Sequence, residues 1–304
     1  MDAILQVFNY TDGITLEFTG QQLVTQYLGM NNRLINNTWR EAICTAIDYD
    51  YILDVLRDGN AVRMESPIPT GISMANWTHQ EDVYNLSYAR EIMQGMGFGY
   101  TGSVAWNKTE GSSDEQLWLD AVFQTYNYTY NIGNSFREDI LVFLQDNLGK
   151  IGITIEDAGM TWEWFVARLN GVKGTTRNML NLFWVGWGPD YNDPGNFIDP
   201  LFSNTTGPSS NGAQYNGYLA AIEAGRNEMY LWDNVQLLMN AGLEETNPVL
   251  REAMYDRIQY LLIEEDRPWA WGYVSLAHRA YVSTLHGVPT NPMGSEFFYP
   301  CYFD

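Results

Sequence analysis

The sequence predicts an α/β fold, and three observations carry that prediction. Capping signals that open apolar helical stripes recur along the chain, and short β-branched or apolar runs of strand length lie between them. With 45% hydrophobic residues in 304, the chain can also build a sizeable core. Charged residues make up 17%, which does not read as disorder.

Residues 14–30 mix β-formers with polar residues and read as strand and turn. Thr38 with Glu41 forms a capping box that opens a helix. Its apolar stripe is Ala42, Ile43, Ala46, Ile47, Val55 and Leu56, and Gly59 ends it. In Ser66-Pro67-Ile68-Pro69-Thr70-Gly71, two prolines and a glycine exclude regular structure. A second helix covers residues 84–96 and stops at Gly97. Residues 116–126, aromatic and apolar, read as a strand. Ser135 and Glu138 form another capping box, opening a helix through Leu148, and residues 151–155 alternate as a strand. A short aromatic helix spans residues 161–169, and residues 179–187 are a near-continuous apolar run of the kind found in buried strands. Residues 188–217 form a long loop dense in Gly, Pro, Asn and Asp. Helices follow over residues 218–241, whole or broken, and 248–265, the latter with Asn247 as N-cap and Pro248 at N1. A last strand over residues 269–275 precedes a Pro/Gly-rich tail, and there is no internal repeat.

Acidic residues outnumber basic ones by 37 to 16, giving a net charge of −21 and a pI near 4.3. Such a field repels nucleic acid and anionic lipid and attracts cations, including amines, although solubility alone explains most surface carboxylates. Lys108, Lys150 and Lys173 are the only lysines, which marks an acidic-adapted surface. Asn-X-Ser/Thr sequons begin at Asn9, Asn36, Asn76, Asn85, Asn107, Asn127 and Asn204, and point to an exported, extracellular location. Residues 1–10 lack the basic and apolar regions of a secretory leader, so an exported form would carry its leader upstream. No run is long enough to span a membrane as a helix. Cys44 and Cys301 have no metal-ligand spacing, and one bridge between them depends on the fold.

The long loop carries a recognisable motif. Val185-Gly186-Trp187-Gly188-Pro189-Asp190-Tyr191-Asn192-Asp193-Pro194-Gly195-Asn196-Phe197 resembles the G-W-x-x-D-Y-x-D-P-x-N signature of the family 5 solute-binding proteins of ABC transporters, the dipeptide-, oligopeptide- and nickel-binding type. Other segments fall in that family's order: Tyr27 to Asn31, Arg40 to Asp50, Ser66 to Gly71, Ala89 to Phe98 and Glu264 to Ala270. The resemblance covers nearly the whole chain but only the later part of the family pattern. It implies a periplasmic-binding-protein type II-like fold: residues 1–38 a remnant of the first lobe, 39–277 the second, ligand-binding lobe, and 278–304 a return toward the first. An N-terminal lobe would be missing.

The resemblance also implies a site. Asp190 matches the aspartate that pairs with a peptide's ammonium group; a turn aspartate bonding its own loop is the plainer reading. Trp187 and Trp184 offer flat faces for a ligand or fill the core; the strand could direct both to one side of the sheet or, through a bulge, to different ones. Tyr191 and Asn196 could supply hydroxyl and amide contacts, while Asp193 and Pro194 shape the loop. Arg137, near a helix start, lies where dipeptide binders hold the ligand carboxylate, although its local match is out of register and a surface arginine is the plainer reading. Trp162, Trp164 and Phe165 read better as core than as cleft edge. The implied function is extracytoplasmic binding of a peptide or other small solute for a membrane permease, with no cofactor and no metal.

Other classes compete. Asp190 with Asp193 could serve a glycosidase, and eleven tryptophans and twenty tyrosines would suit sugar stacking, so an oligosaccharide binder stays open. No nucleophile elbow, phosphate loop or His-Glu-X-X-His motif supports an enzyme, and His79, His278 and His286 are scattered. A surface-layer or assembly subunit reusing the fold is the remaining alternative.

Overall fold

The structure, a computed structural model, describes residues 13–80, 82–172, 174, 177–204, 211–289 and 298–304. Asn9 and Lys173 lie outside them. Six strands form one mixed sheet: β1 (Ile14–Met30), β2 (Ala61–Arg63), β3 (Gln124–Thr129), β4 (Ile153–Asp157), β5 (Leu182–Trp187) and β6 (Trp269–Val282). Their spatial order is β2-β6-β1-β5-β3-β4. β3 runs parallel to β4 and β5, whereas β1 lies antiparallel between β5 and β6.

Helices cover both faces, and strand alternation sorts the core into two clusters. Leu182 and Trp184 of β5 face one way, with Leu28 and Met30 of β1. There they pack on α1 (Asn37–Ala46), α2 (Leu86–Gly95) and α4 (Ser135–Gly149), while α3 (Glu115–Asp120) adds Trp118. Phe183 and Val185 face the other way, toward α5 (Trp162–Asn170), α6 (Gly195–Phe202), α7 (Gly217–Glu223), α8 (Val235–Glu244) and α9 (Pro248–Tyr260). Gly29 pairs across from Phe183, and a Cβ there would come within 2.2 Å of the ring, so only glycine lets that ring lie over β1. A bulge opposite Gln26 and Tyr27 switches parity in β6, so Trp271 and Tyr273 face opposite clusters.

Several elements differ from their expected form. Asn36, not Thr38, caps α1, accepting the Trp39 N–H at 3.1 Å. Asn134, one residue before Ser135, caps α4, and Glu138 accepts the Gly133 N–H instead of that of the expected cap. α1 ends at Ala46; Ile47 is extended, Asp48 accepts the Tyr51 N–H, and the chain restarts as a wide turn, Tyr51–Leu56. The expected strand over 116–126 is instead α3 followed by β3. Buried Trp118 between exposed Leu117 and Leu119 gives a short helix one inner face. Within the expected loop 188–217, Phe197, Ile198, Leu201 and Phe202 bury one face of α6. Helix 218–241 is broken between α7 and α8, each with its own Asn cap. Asn247 caps α9 as expected.

β1 and β6 run beyond the sheet as a two-stranded ribbon pairing residues 14–21 with 276–282. From Thr25 to Met30, however, β1 is bonded to both β5 and β6, inside the sheet of the unit expected to begin at residue 39. Cys44 is buried, Cys301 half-buried, and both are free thiols. Asn127 lies within β3, its side-chain oxygen accepting the Asn181 N–H, so that sequon is sheet rather than open surface. No helix of the described residues is long and apolar enough to cross a membrane.

Candidate functional site

Because β3, β4 and β5 are parallel, their carboxyl ends share one edge, where open α/β sheets place ligands. β3 leads through Asn131 to the Asn134 cap of α4, β4 leads to α5, and β5 leads through the motif loop to α6. A parallel bridge between Asn131 and Met160 joins the first two connections.

The motif loop is organised around Asn196, which is 4% exposed. Its side-chain Oδ1 accepts the Asp190 N–H at 2.8 Å, its Nδ2 lies 3.5 Å from Asp190 Oδ2, and its carbonyl accepts Trp187 Nε1–H at 2.9 Å. Asn196 therefore folds the loop back on itself. Asp190 is exposed and, among the described residues, has no cationic partner. Asp193, three residues on, is bound through both oxygens by Arg251 Nη2 at 3.0 Å and also accepts the Gly195 N–H. This makes Asp190 and Asp193 chemically unlike. One is an open carboxylate on a held backbone; the other is already neutralised, so these two do not form a free carboxylate pair.

The aromatic residues divide. Residues three apart on a strand have opposite parity, so Trp184 and Trp187 face opposite sides of the sheet without any bulge between them. Trp184 is 2% exposed, packed against Phe136 and Tyr273, with Nε1 donating to Gln26. Its faces are taken up by protein. Trp187 is half-buried against the second cluster with its N–H fixed by Asn196, and Tyr191 is 56% exposed beside Asp190.

Arg137 is not a surface arginine: it is 9% exposed. Its guanidinium donates to Asn131 Oδ1 and lies 5.7 Å from the Trp162 ring centroid and 5.6 Å from that of Phe165. Burial holds its pKa below the ordinary arginine value, partly offset by the Tyr128, Tyr273 and Tyr27 phenols. No carboxylate among the described residues pairs with it. The expectation that Trp162, Trp164 and Phe165 fill the core is corrected for two of them. Phe165 is buried, but Trp162 and Trp164 are about half exposed, because their positions near the α5 start put them at the rim. Sequence reasoning missed Arg251 and Asn131 altogether. Arg251 stands 58 positions from Asp193, with no local pattern to connect them.

Comparison with known proteins follows the same lines. The model of the bacterial extracellular solute-binding proteins, family 5 (middle region), matches residues 3–209, more than half of the chain. The chain belongs to this family. The oligopeptide-binding protein AppA of Bacillus subtilis is 27% identical over 305 residues, covering 93% of this chain and 48% of that protein. The heme-binding protein A of Haemophilus influenzae is 22% identical over 260 residues, covering 86% of this chain and 40% of that protein. Among solved structures, the periplasmic binding protein DppA of Helicobacter pylori in complex with the peptide STSA superposes with a TM-score of 0.74 at 20% identity, covering 98% of this chain and 50% of that one. B. subtilis AppA in complex with a nonapeptide gives 0.71 at 19% identity, covering 98% and 54%. The fold is thus that of the periplasmic binding proteins. The chain spans about half the length of the curated relatives it matches.

Proposed function

We propose that this chain is the ligand-holding lobe of an extracytoplasmic solute-binding protein that delivers peptides to an ABC-transporter permease. Asp190 meets the ligand's ammonium group, Arg137 meets its carboxylate, and Trp187, Tyr191 and Asn196 frame the first contact. The observation that carries this reading is the inequality of the two loop carboxylates: Asp193 is spent on Arg251, and Asp190 is held by backbone with its charge open. A cation is the natural partner for an oriented, uncompensated carboxylate. A buried guanidinium with no acid partner among the described residues, at another connection on the same sheet edge, supplies the opposite pole.

The lobe boundary proposed on this reading runs through β1 and β6, not at residues 38 and 277. The sheet portions of both strands belong to the ligand lobe, and the ribbon beyond them leads toward a second lobe. That lobe closes the cleft, so this chain alone binds weakly.

The test is a thermal-shift panel at millimolar concentrations of trialanine, a nonapeptide, maltotriose, hemin and nickel. Trialanine or the nonapeptide raises the melting temperature by mass action, and Asp190→Asn removes the shift. A shift with maltotriose, hemin or nickel alone, or no shift with any peptide, overturns the peptide reading. Ordered multimers that bind none of these probes would support the assembly-subunit alternative instead.

A further inference from the structure

Arg251 stands in the first turn of α9, far from the motif in sequence, yet three contacts tie it to the motif's surroundings. Nη2 holds both oxygens of Asp193 at 3.0 Å, Nε donates to the Gly242 carbonyl of α8 at 2.9 Å, and the guanidinium lies 4.9 Å from the Tyr255 ring centroid. Asp193 in turn accepts the Gly195 N–H at 2.8 Å, at the start of α6, and the next residue, Asn196, holds Asp190. A continuous series of bonds thus runs from Arg251 to the open carboxylate. Burial lowers the Arg251 pKa, but the hydrogen bond and charge of Asp193, with Tyr255, outweigh it and the net shift is upward.

We propose that Arg251 is a positioning and specificity-determining residue of the ligand site: by neutralising Asp193 it leaves the loop one open carboxylate, so the site takes a single ammonium group in preference to a doubly charged cation. This rests on the reading that Asp190 meets the ligand's ammonium. Without Arg251, two carboxylates would stand three residues apart in one turn. Their mutual repulsion favours any ligand that brings two positive charges.

Calorimetry on the wild-type chain, Arg251→Met, Asp193→Asn and the double variant distinguishes the outcomes, with trialanine, N-acetyl-trialanine and the diamine putrescine as probes. Wild type prefers trialanine to its acetylated form by about tenfold or more, the worth of one charge-assisted hydrogen bond. Arg251→Met gains about tenfold in putrescine affinity, the equivalent of one extra close charge pair, so the ratio of putrescine to trialanine binding rises. The double variant lacks the same Arg–Asp contact but has the wild-type loop charge, so it loses the gained putrescine affinity and returns to the wild-type ratio of putrescine to trialanine binding. A merely structural role would leave the double variant as impaired as Arg251→Met, and that result overturns the proposal. So does an Arg251→Met protein with wild-type preferences. If wild type binds no peptide while Arg251→Met still gains putrescine, the peptide reading fails and the charge role of Arg251 stands. Circular dichroism confirms that each variant is folded.

Discussion

Asn196 grips Asp190 at two points, its Oδ1 accepting the aspartate's backbone N–H at 2.8 Å and its Nδ2 lying 3.5 Å from the carboxylate. The same residue accepts the Trp187 indole N–H through its carbonyl. Removing its side chain should therefore act on the loop before it acts on the fold. Asn196→Ala takes the acceptor from the part-buried Asp190 N–H and costs about 0.5–1.5 kcal/mol of stability. Peptide affinity should fall further than the melting temperature implies, because the Asp190 carboxylate loses its orientation. Urea titration and calorimetry on the same sample check both; wild-type affinity in the variant would show that Asn196 does not orient the site.

The opposite orientations of Trp184 and Trp187 give them opposite consequences. Trp184→Ala empties space between Phe136 and Tyr273 and costs about 3–5 kcal/mol, as large-to-small core changes do. Trp187→Phe keeps most of the apolar contact and loses only the bond to Asn196, costing about 1 kcal/mol. Ligand affinity should move more in Trp187→Phe than in the milder core variant Trp184→Phe. Equal effects on affinity would contradict the assignment of the two rings.

Arg137 should show a separation of stability from binding. Its guanidinium is buried with no described carboxylate, so the folded protein bears a desolvation cost that a ligand acid would relieve. Arg137→Met removes the charge while retaining volume. The expected result is unchanged or higher thermal stability together with loss of the preference for a peptide with a free carboxyl terminus over its amide. A marked fall in melting temperature with that preference intact would assign Arg137 to structure instead.

The pair of Glu115 and Arg90 governs acid sensitivity on the other face of the sheet. Arg90 is fully buried, and its guanidinium holds Glu115 at 2.7 and 3.0 Å, keeping the carboxyl below its usual range. A depressed folded-state pKa stabilises the fold above the ordinary value of 4.5, and that contribution is lost as pH falls through the folded-state value. Glu115→Gln should cost roughly 1.5–3 kcal/mol at pH 7. The gap from wild type should close on acidification below 4.5, measured by chemical denaturation at a series of pH values. A gap that does not depend on pH would locate the effect in packing.

Much of the fold was legible because it rests on local order. The cap Asn247, the apolar run of β5 and Gly97 just past the end of α2 are short-range signals. The misread elements fail for identifiable reasons. Asn36 and Asn134 each precede a hydroxyl-bearing residue that looks equally able to cap, and backbone direction selects the earlier one. The turn-forming residues around α6 obscured the helical spacing of Phe197, Ile198, Leu201 and Phe202. The far ends of β1 and β6 are stabilised by each other, which neither segment reveals alone.

The sequence by itself determined the α/β class, the acidic surface and the motif loop with Asp190, because composition and short-range residue order carry them. Only the tertiary structure decided which loop carboxylate stays open, which of Trp184 and Trp187 is enclosed by protein and that Arg137 is buried. Each depends on a partner distant in sequence: Arg251 for Asp193, Tyr273 for Trp184, and Trp162 for Arg137. Two aspartates three residues apart are the same chemical group until the fold brings a cation to one of them.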